Sequence, residues 1–388
     1  MNKVVIVSAC RSPQAKVPGY LSALKDFELM SQCFRSVIDK IQLDAKKIQY
    51  AFVGSCLPVY RQNLGRKAVL EAGISETVSA TTVNKRCASG MEALFQGIYR
   101  IMSGAADTVL IGGVESTSNS GYALGYLKEN VIKRTTDKDM FRYDSFIHKY
   151  NEDDIAVIAE KLAREYNISK DEINSHTLAI CQNALLAQER GYFGAEIVPI
   201  VDVINNKIIN KDDLSGLPLN IDTLENAVPF SINDGYFNQY HSARLGDGAA
   251  ALILMSEEKA EKEGYPIMCR VIDQSCIGVS FQEVGTAIIK VVEKLIKVCH
   301  MNISDIDLFE MNEAFSVQSL LYQRILQIPN EKVNISGSEI AFGYAMGCTS
   351  LRSCVSLIYN LKRSNLDTGI AATTAGGCMA QAILLRNR

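Results

Sequence analysis

Four short stretches carry residue types that nucleophilic or acid–base chemistry needs. The first is VNKRCASGMEAL, with Cys87 between an extended segment and a helix. Ala88, Ser89 and Gly90 follow it, and small residues let backbone or ligand approach closely. A thiol at a helix N-terminus feels the positive end of the helix dipole, which favours the thiolate. A strand-to-helix turn also exposes the sulfur for attack. A buried structural cysteine is the alternative reading of the same pattern. The second stretch is FEMNEAFS, residues 309–316. Asn312 and Glu313 come directly after a strand, where α/β folds set their site residues. Asn312 there can orient a water or donate to an oxyanion, or it can simply cap a helix. The third is TTAGGCMA, residues 373–380, whose glycine pair can aim backbone N–H groups into a pocket or merely make a tight turn. The fourth is SEIAFGYAMGCTSL, with Tyr344 at the apex of a glycine-bounded turn that feeds a helix.

The elements around these stretches alternate. KVVIVSA reads as a buried strand, residues 25–40 as helix, IQYAFVGSC as strand and GRKAVLEAG as a short helix. SATTVNKR is extended, the segment after Cys87 is helical and stops at Gly104, and DTVLIGGVE is a strand. From about residue 119 to 245 the chain is richer in charge and Asn, with two helices, the second announced by Ser169. GDGAAALILMS returns to a buried strand. After about residue 266 the opening pattern recurs. EKVNISGS parallels ATTVNKRC, CTSLRSCVSLIYNLKRS parallels the helix after Cys87, and TGIAATTAGG parallels DTVLIGG. An internal duplication of an α/β unit is expected.

Bulk properties narrow the function classes. A chain of 388 residues that is 47% hydrophobic buries a large core in two or three packed units. A net charge of −3 argues against nucleic acid or an anionic membrane as partner. The apolar runs are strand-length, too short for a transmembrane span, and the opening MNKVVIVSACRSP lacks the apolar length of a signal peptide. A cytoplasmic setting is the expectation. None of the eleven cysteines forms a C-x-x-C pair, so no metal site is expected and most should be small buried hydrophobes.

Taken together in this order, the segments resemble the thiolase family over essentially the whole chain. Thiolases show V-N-x-x-C-x-S-G, matched by VNKRCASG, and G-G-x-E-S, matched by GGVES. They show N-D-G-A-A-A-L, close to GDGAAAL here, and N-E-A-F, matched by NEAF. The resemblance implies a duplicated fold of two similar α/β halves in an α-β-α-β-α core with an inserted loop domain. The halves would be residues 1–118 with 246–266, and 267–388; the loop domain would be 119–245. It implies that Cys87 takes up an acyl group as a thioester. The backbone N–H groups of Cys87 and Gly376 would hold the oxyanion, and Asn312 would hold a water at a second oxyanion site. Acyl-CoA would be a substrate rather than a resident cofactor, and the assembly a homodimer or homotetramer.

Two family roles have no carrier in this sequence. Where thiolases place histidine in a G-H-P turn stands Tyr344, with Ala345 for the proline. Where they place a second cysteine, the acid/base of the Claisen step, stands Thr374. Tyrosine has a reference pKa near ~10 and is a poor base at neutral pH, and losing one general acid or base costs ~10² to 10⁴-fold. Acyl uptake suffers less, since backbone oxyanion donors do not depend on side chains. The family's pantetheine-facing serine and glycine align with Ala243 and Arg244, which leaves a carrier-protein phosphopantetheine open beside CoA. Lys128, Lys133, Arg134 and Lys138 could meet CoA phosphates, or form a solvated face. Candidate replacement bases are His241, His148 and Glu339, the last through a raised pKa. Three functions follow: an acyltransferase whose acceptor needs no proton abstraction; an acetyl-CoA acetyltransferase with rearranged acid/base groups; and a non-catalytic partner of a second, thiolase-like subunit.

Overall fold

β1 (Val4–Arg11) is buried at every position, as an unbroken β-branched run requires of a strand covered on both faces. The computed structural model describes residues 2–57, 63–120, 155–230 and 235–387. His148, Lys128, Lys133, Arg134 and Lys138 lie outside them. After β1 come α1 (Asp26–Asp39), β2 (Tyr50–Gly54), α2 (Leu64–Glu71) and β3 (Ser79–Val83). The first half continues with α3 (Ser89–Met102) and β4 (Thr108–Ser116). The middle segment holds α4 (Ile155–Glu165) and α5 (Lys170–Glu189). The side chain of Ser169 caps α5 by accepting the Glu172 N–H, as its position before the helix predicts. β5 (Gly246–Ser256) follows. The second half runs β6 (Cys269–Gly278), α6 (Ala287–Val298), β7 (Leu308–Met311), α7 (Ser316–Leu326) and α8 (Glu339–Phe342). It closes with α9 (Met346–Ser364), β8 (Thr368–Ala375) and β9 (Met379–Arg386).

The strands form one hydrogen-bonded path, β7-β8-β9-β6-β1-β5-β4-β2-β3. Its centre is the β6–β1 seam, joined at Val5↔Arg270 and Ile6↔Cys269. Outward from that seam the two sides repeat. β1–β5 and β5–β4 are antiparallel and β4–β2 is parallel. On the other side β6–β9 and β9–β8 are antiparallel and β8–β7 is parallel. The duplication read from the sequence is therefore a pseudo-symmetry of the sheet.

One correspondence is weaker than expected. β3 pairs with β2 over five residues, but its counterpart EKVNISGS forms no ladder with β7 and meets its backbone at the Phe309–Val333 bridge. The Asn334 amide takes over from the missing ladder. It accepts the Met311 N–H at 2.9 Å and donates to the Met311 carbonyl at 3.0 Å.

Three large apolar cores hold the layers together. α1 and α2 pack on one face of the first-half strands. α3 and α9 lie together between the two halves. α6 and α7 cover the far face of the second half. The middle segment is tied to the end of β1 by a buried ion network. Arg11 donates through Nε to Glu196 at 2.7 Å and through both terminal nitrogens to Asp212 at 2.7 and 2.9 Å. Among the described residues, no helix is long and apolar enough to cross a membrane.

Candidate active site

The site sits where the two central helices begin. Cys87 stands two residues before α3, and Tyr344 stands two residues before α9. These positions correspond in the duplication, so the fold itself brings them together. The helix starts are in contact. A Cβ on Gly90 would lie 2.9 Å from the Gly347 carbonyl, and one on Gly54 would lie 2.3 Å from the Ser89 carbonyl carbon. The small residues after Cys87 thus serve backbone packing, not ligand approach.

The turn that delivers Cys87 is tight. Arg86 has a φ of 55°, in the left-handed region. The Ser89 hydroxyl braces it by donating to the Arg86 carbonyl at 2.6 Å and accepting the Lys85 N–H at 2.8 Å. The sulfur that results is partly exposed. Cys87 packs against Tyr344, and the Tyr344 hydroxyl, the Gly376 N–H and its own N–H all act to favour its thiolate. Tyr344 in turn donates to Asn312 Oδ1 at 3.0 Å, and the Thr374 hydroxyl lies 3.5 Å from the same oxygen. The Asn312 amide nitrogen is buried with no partner. Cys87, Gly376, Tyr344, Asn312 and Thr374, read from distant segments, therefore converge on one spot. Apolar residues Cys56, Met346, Ala243, Leu245 and Ala314 wall it.

The electrostatics correct one expectation. The Cys87 thiol is pushed above its ordinary value, because burial outweighs the help of Tyr344, the Gly376 N–H, the Arg86 charge and its own N–H. A helix N-terminus alone does not make this thiol a thiolate. Tyr344 is pushed well up as well, first by burial and then by its proximity to Cys87.

Neither proposed replacement base is placed to act as one. Glu339 is fully buried. Burial would raise its pKa, but the Arg352 charge and hydrogen bonds from Thr349 and Arg352 win, and it lies below the ordinary value. Its carboxylate accepts from Thr349 at 2.6 Å, Arg352 at 2.7 Å and the Glu313 N–H at 3.0 Å. It is a clasp between the Tyr344 turn and the end of β7. His241 has both ring nitrogens committed. Nδ1 accepts the Asn238 N–H at 3.2 Å, so Nε2 carries the proton and donates to Asn174 Oδ1 at 2.8 Å. Burial and the Lys170 charge lower its pKa to about 4. Ala243 does face the Cys87 wall, but Arg244 turns the other way. The Arg244 carbonyl accepts the Tyr344 N–H at 2.6 Å, while its guanidinium lies over Tyr240.

Two buried carboxylates of the neighbourhood have partners that the sequence did not announce. Glu313 takes His176 Nε2 at 2.5 Å and the Ser338 hydroxyl at 2.5 Å. His176 lies on the inward face of α5 with Ile173, Thr177 and Ile180, and that helical spacing was the available signal. Glu115 accepts the N–H groups of Cys56, Leu57 and Gly347, and burial lifts it to about 7 against those bonds. A carboxylate inside an all-buried strand was its signal. Cys348 is buried in α9, where desolvation pushes it to about 12. Among the described residues no group of three His, Cys, Asp or Glu could hold a metal ion.

The family's models match almost end to end: thiolase, N-terminal domain over residues 4–258, and thiolase, C-terminal domain over residues 265–387. The chain belongs to the thiolase family. A Staphylococcus epidermidis protein named probable acetyl-CoA acyltransferase is 32% identical to this thiolase-family chain, over 97% of each. A Staphylococcus aureus protein of the same name is 31% identical over 99% of each. The crystal structure of the Bacillus anthracis acetyl-CoA acetyltransferase superposes with a TM-score of 0.95 at 31% identity, covering 100% of this chain and 99% of that one. Human mitochondrial 3-ketoacyl-CoA thiolase in complex with CoA shares the fold, with a TM-score of 0.93 at 24% identity, over 100% of this chain and 98% of that one. Membership places this thiolase among the acyltransferases of its superfamily.

Proposed function

We propose that this thiolase-family acyltransferase takes an acyl group from acyl-CoA, or from a carrier-protein thioester, onto Cys87 and passes it to an acceptor. The observation that carries this reading is the packing of Cys87 against Tyr344, whose hydroxyl shares Asn312 Oδ1 with the Thr374 hydroxyl. The Cys87 thiolate attacks the thioester carbonyl and a carbon–sulfur bond forms. The negative charge moves to the carbonyl oxygen, where the N–H groups of Cys87 and Gly376 receive it. Collapse breaks the bond to the leaving sulfur, which takes up the proton that Cys87 gave away. One thioester is exchanged for another, with no change of oxidation state.

The second half of the reaction is restricted. Removing a proton from carbon needs a base, and the described residues at the sulfur supply only a phenol with raised pKa, a threonine hydroxyl and an amide. The acceptor is therefore an amine, hydroxyl, thiol or already activated carbon. The names of the relatives at over 30% identity favour acyl-CoA as donor. The half-exposed edge strand β3 suits pairing in a homodimer or homotetramer. Eleven free cysteines suit a reducing, cytoplasmic setting. The division into 1–118 with 246–266, 119–245 and 267–388 accords with β5 returning between β1 and β4.

Intact-mass spectrometry after incubation with acetyl-CoA and with an acetylated carrier protein tests the first step. An added acyl mass is expected on the native chain and not on Cys87→Ala. No adduct, or one that persists in Cys87→Ala, overturns the proposal. Acetoacetyl-CoA cleavage at ordinary thiolase rates overturns the restriction on the acceptor.

A further inference from the structure

Asn312 follows β7 directly, and its backbone is pinned on both sides. Its own N–H donates to the Ala372 carbonyl at 2.9 Å, and the next N–H, of Glu313, donates to the Glu339 carboxylate at 3.0 Å. The side chain does not cap the helix that follows. α7 starts at Ser316, and Gln318 Oε1 accepts the Ala314 and Phe315 N–H groups at 3.1 Å. Two hydroxyls from different elements converge on Asn312 Oδ1 instead. Tyr344, from the turn before α9, donates at 3.0 Å, and Thr374, near the end of β8, donates at 3.5 Å. A carbonyl oxygen has two lone pairs, so this one is fully occupied. Nδ2 is buried without a partner, which leaves two N–H donors free. Native folds keep few such donors, and a role at a functional site is one reason to keep one.

We propose that Tyr344 and Thr374 are positioning residues: together they lock the Asn312 amide so that its NH2 group, and not its carbonyl, meets an oxygen of the substrate. Turned the other way, the amide would set Nδ2 against the two hydroxyls and offer a bare oxygen to the site. Each hydroxyl proton held on Oδ1 opposes that turn. The position then suits a carbonyl or anionic oxygen, which has lone pairs to receive the N–H groups, and disfavours an ammonium. Cys87 packs against the same Tyr344 side chain, so a carbonyl joined to Sγ by a short link shares that enclosure. The two residues that stand in place of the family's histidine and second cysteine thus act through Asn312, as hydroxyls that fix a donor.

The inference deepens the acyltransferase reading and rests on it, but its test does not require acyl transfer. Cys87 is alkylated at alkaline pH with chloroacetone that is isotope-labelled at its carbonyl carbon. The ketone stretch is read by infrared difference spectroscopy, with Cys87→Ala treated in parallel to subtract the other cysteines. A donated hydrogen bond lowers that frequency. The native band is expected to lie below those of Asn312→Ala and of Asn312→Asp, which keeps the shape but has no NH2 group. Tyr344→Phe with Thr374→Val is expected to lose the lowered band although Asn312 is retained. Tyr344→Phe with Thr374→Ser, which keeps one hydroxyl on Oδ1, is expected to retain part of it. Two residues with a merely structural role would leave the band unmoved. A native band equal to that of Asn312→Ala, or one unchanged by Tyr344→Phe with Thr374→Val, overturns the proposal. A lowered band that depends on Asn312, with no acyl mass taken up from acetyl-CoA, supports it and counts against the acyltransferase reading alone.

Discussion

Tyr344 Oη donates to Asn312 Oδ1 at 3.0 Å, and the same side chain packs against Cys87 and acts on its thiol. One phenol with one proton links the nucleophile to the amide. With that proton on Asn312, the Cys87 thiol is left to donate to the phenol oxygen. Once ionised, Cys87 competes with Asn312 for the same proton. The linkage explains why Tyr344 helps the thiolate yet cannot replace a base. It offers a hydrogen bond but has no affinity for a second proton at neutral pH.

Restoring the family's pair of acid/base groups tests this directly. Tyr344→His with Thr374→Cys is expected to raise acetoacetyl-CoA thiolysis by ~10² or more over the native chain. Steady-state assay of both proteins decides it. Equal rates would mean that carbon-acid chemistry is limited elsewhere.

Glu339 is expected to be structural. Glu339→Gln leaves Arg352 buried and unpaired, which should cost about 3–5 kcal/mol in urea unfolding. Glu339→Gln combined with Arg352→Met should cost less than the sum of the two single changes, because the pair is lost together. A general base would behave differently: Glu339→Gln would abolish activity and leave the urea midpoint unchanged.

His241 should set an acid limb of stability. Its folded pKa of about 4 lies below the ordinary 6.5, so the native state keeps it neutral. Between those values the unfolded chain binds a proton that the folded chain refuses. Stability therefore falls as pH drops through 6.5 towards 4, by at most about 3 kcal/mol, and this contribution is flat above that window. Urea midpoints at pH 7 and pH 5 should converge more for His241→Gln than for the native chain. Parallel falls in both proteins would show that His241 is not the group responsible.

Gly54 should be intolerant of even one methyl group. In Gly54→Ala the new Cβ meets the backbone of Ser89 and Gly90, which cannot move without shifting Cys87. An overpacking cost of about 3 kcal/mol is expected, with slower alkylation of Cys87. Thermal unfolding and the alkylation rate measure the two effects together. A native melting point would imply that α3 has room to slide.

Much of the fold was legible because its signals are local. Apolar runs marked β1 and β5, and Ser169 marked the start of α5. Recurrence of the VN pairs and of the long helices marked the duplication. The weak point, EKVNISGS, failed as a strand because Asn334 substitutes its side chain for the backbone ladder, an exchange no propensity registers. The backbone partner of Gly90 was hidden for a related reason. Its neighbour, the Gly347 carbonyl, lies in the other half of the chain.

The sequence by itself carried the family, the two α/β halves, and the nomination of Cys87, Asn312, Tyr344, Thr374 and Gly376 as candidate site residues. Residue type and local spacing single out Cys87 and Asn312, and the resemblance of the motifs nominates the other three. Only the tertiary structure decided what surrounds each group. It turned Glu339 into a clasp, gave both nitrogens of His241 to amides, set His176 on Glu313, and laid Arg86 across Gly376. It also reversed the expected direction for the Cys87 thiol. Desolvation, ion pairing and hydrogen-bond competition depend on which atoms lie within a few ångströms, and those neighbours come from parts of the chain that no local pattern connects.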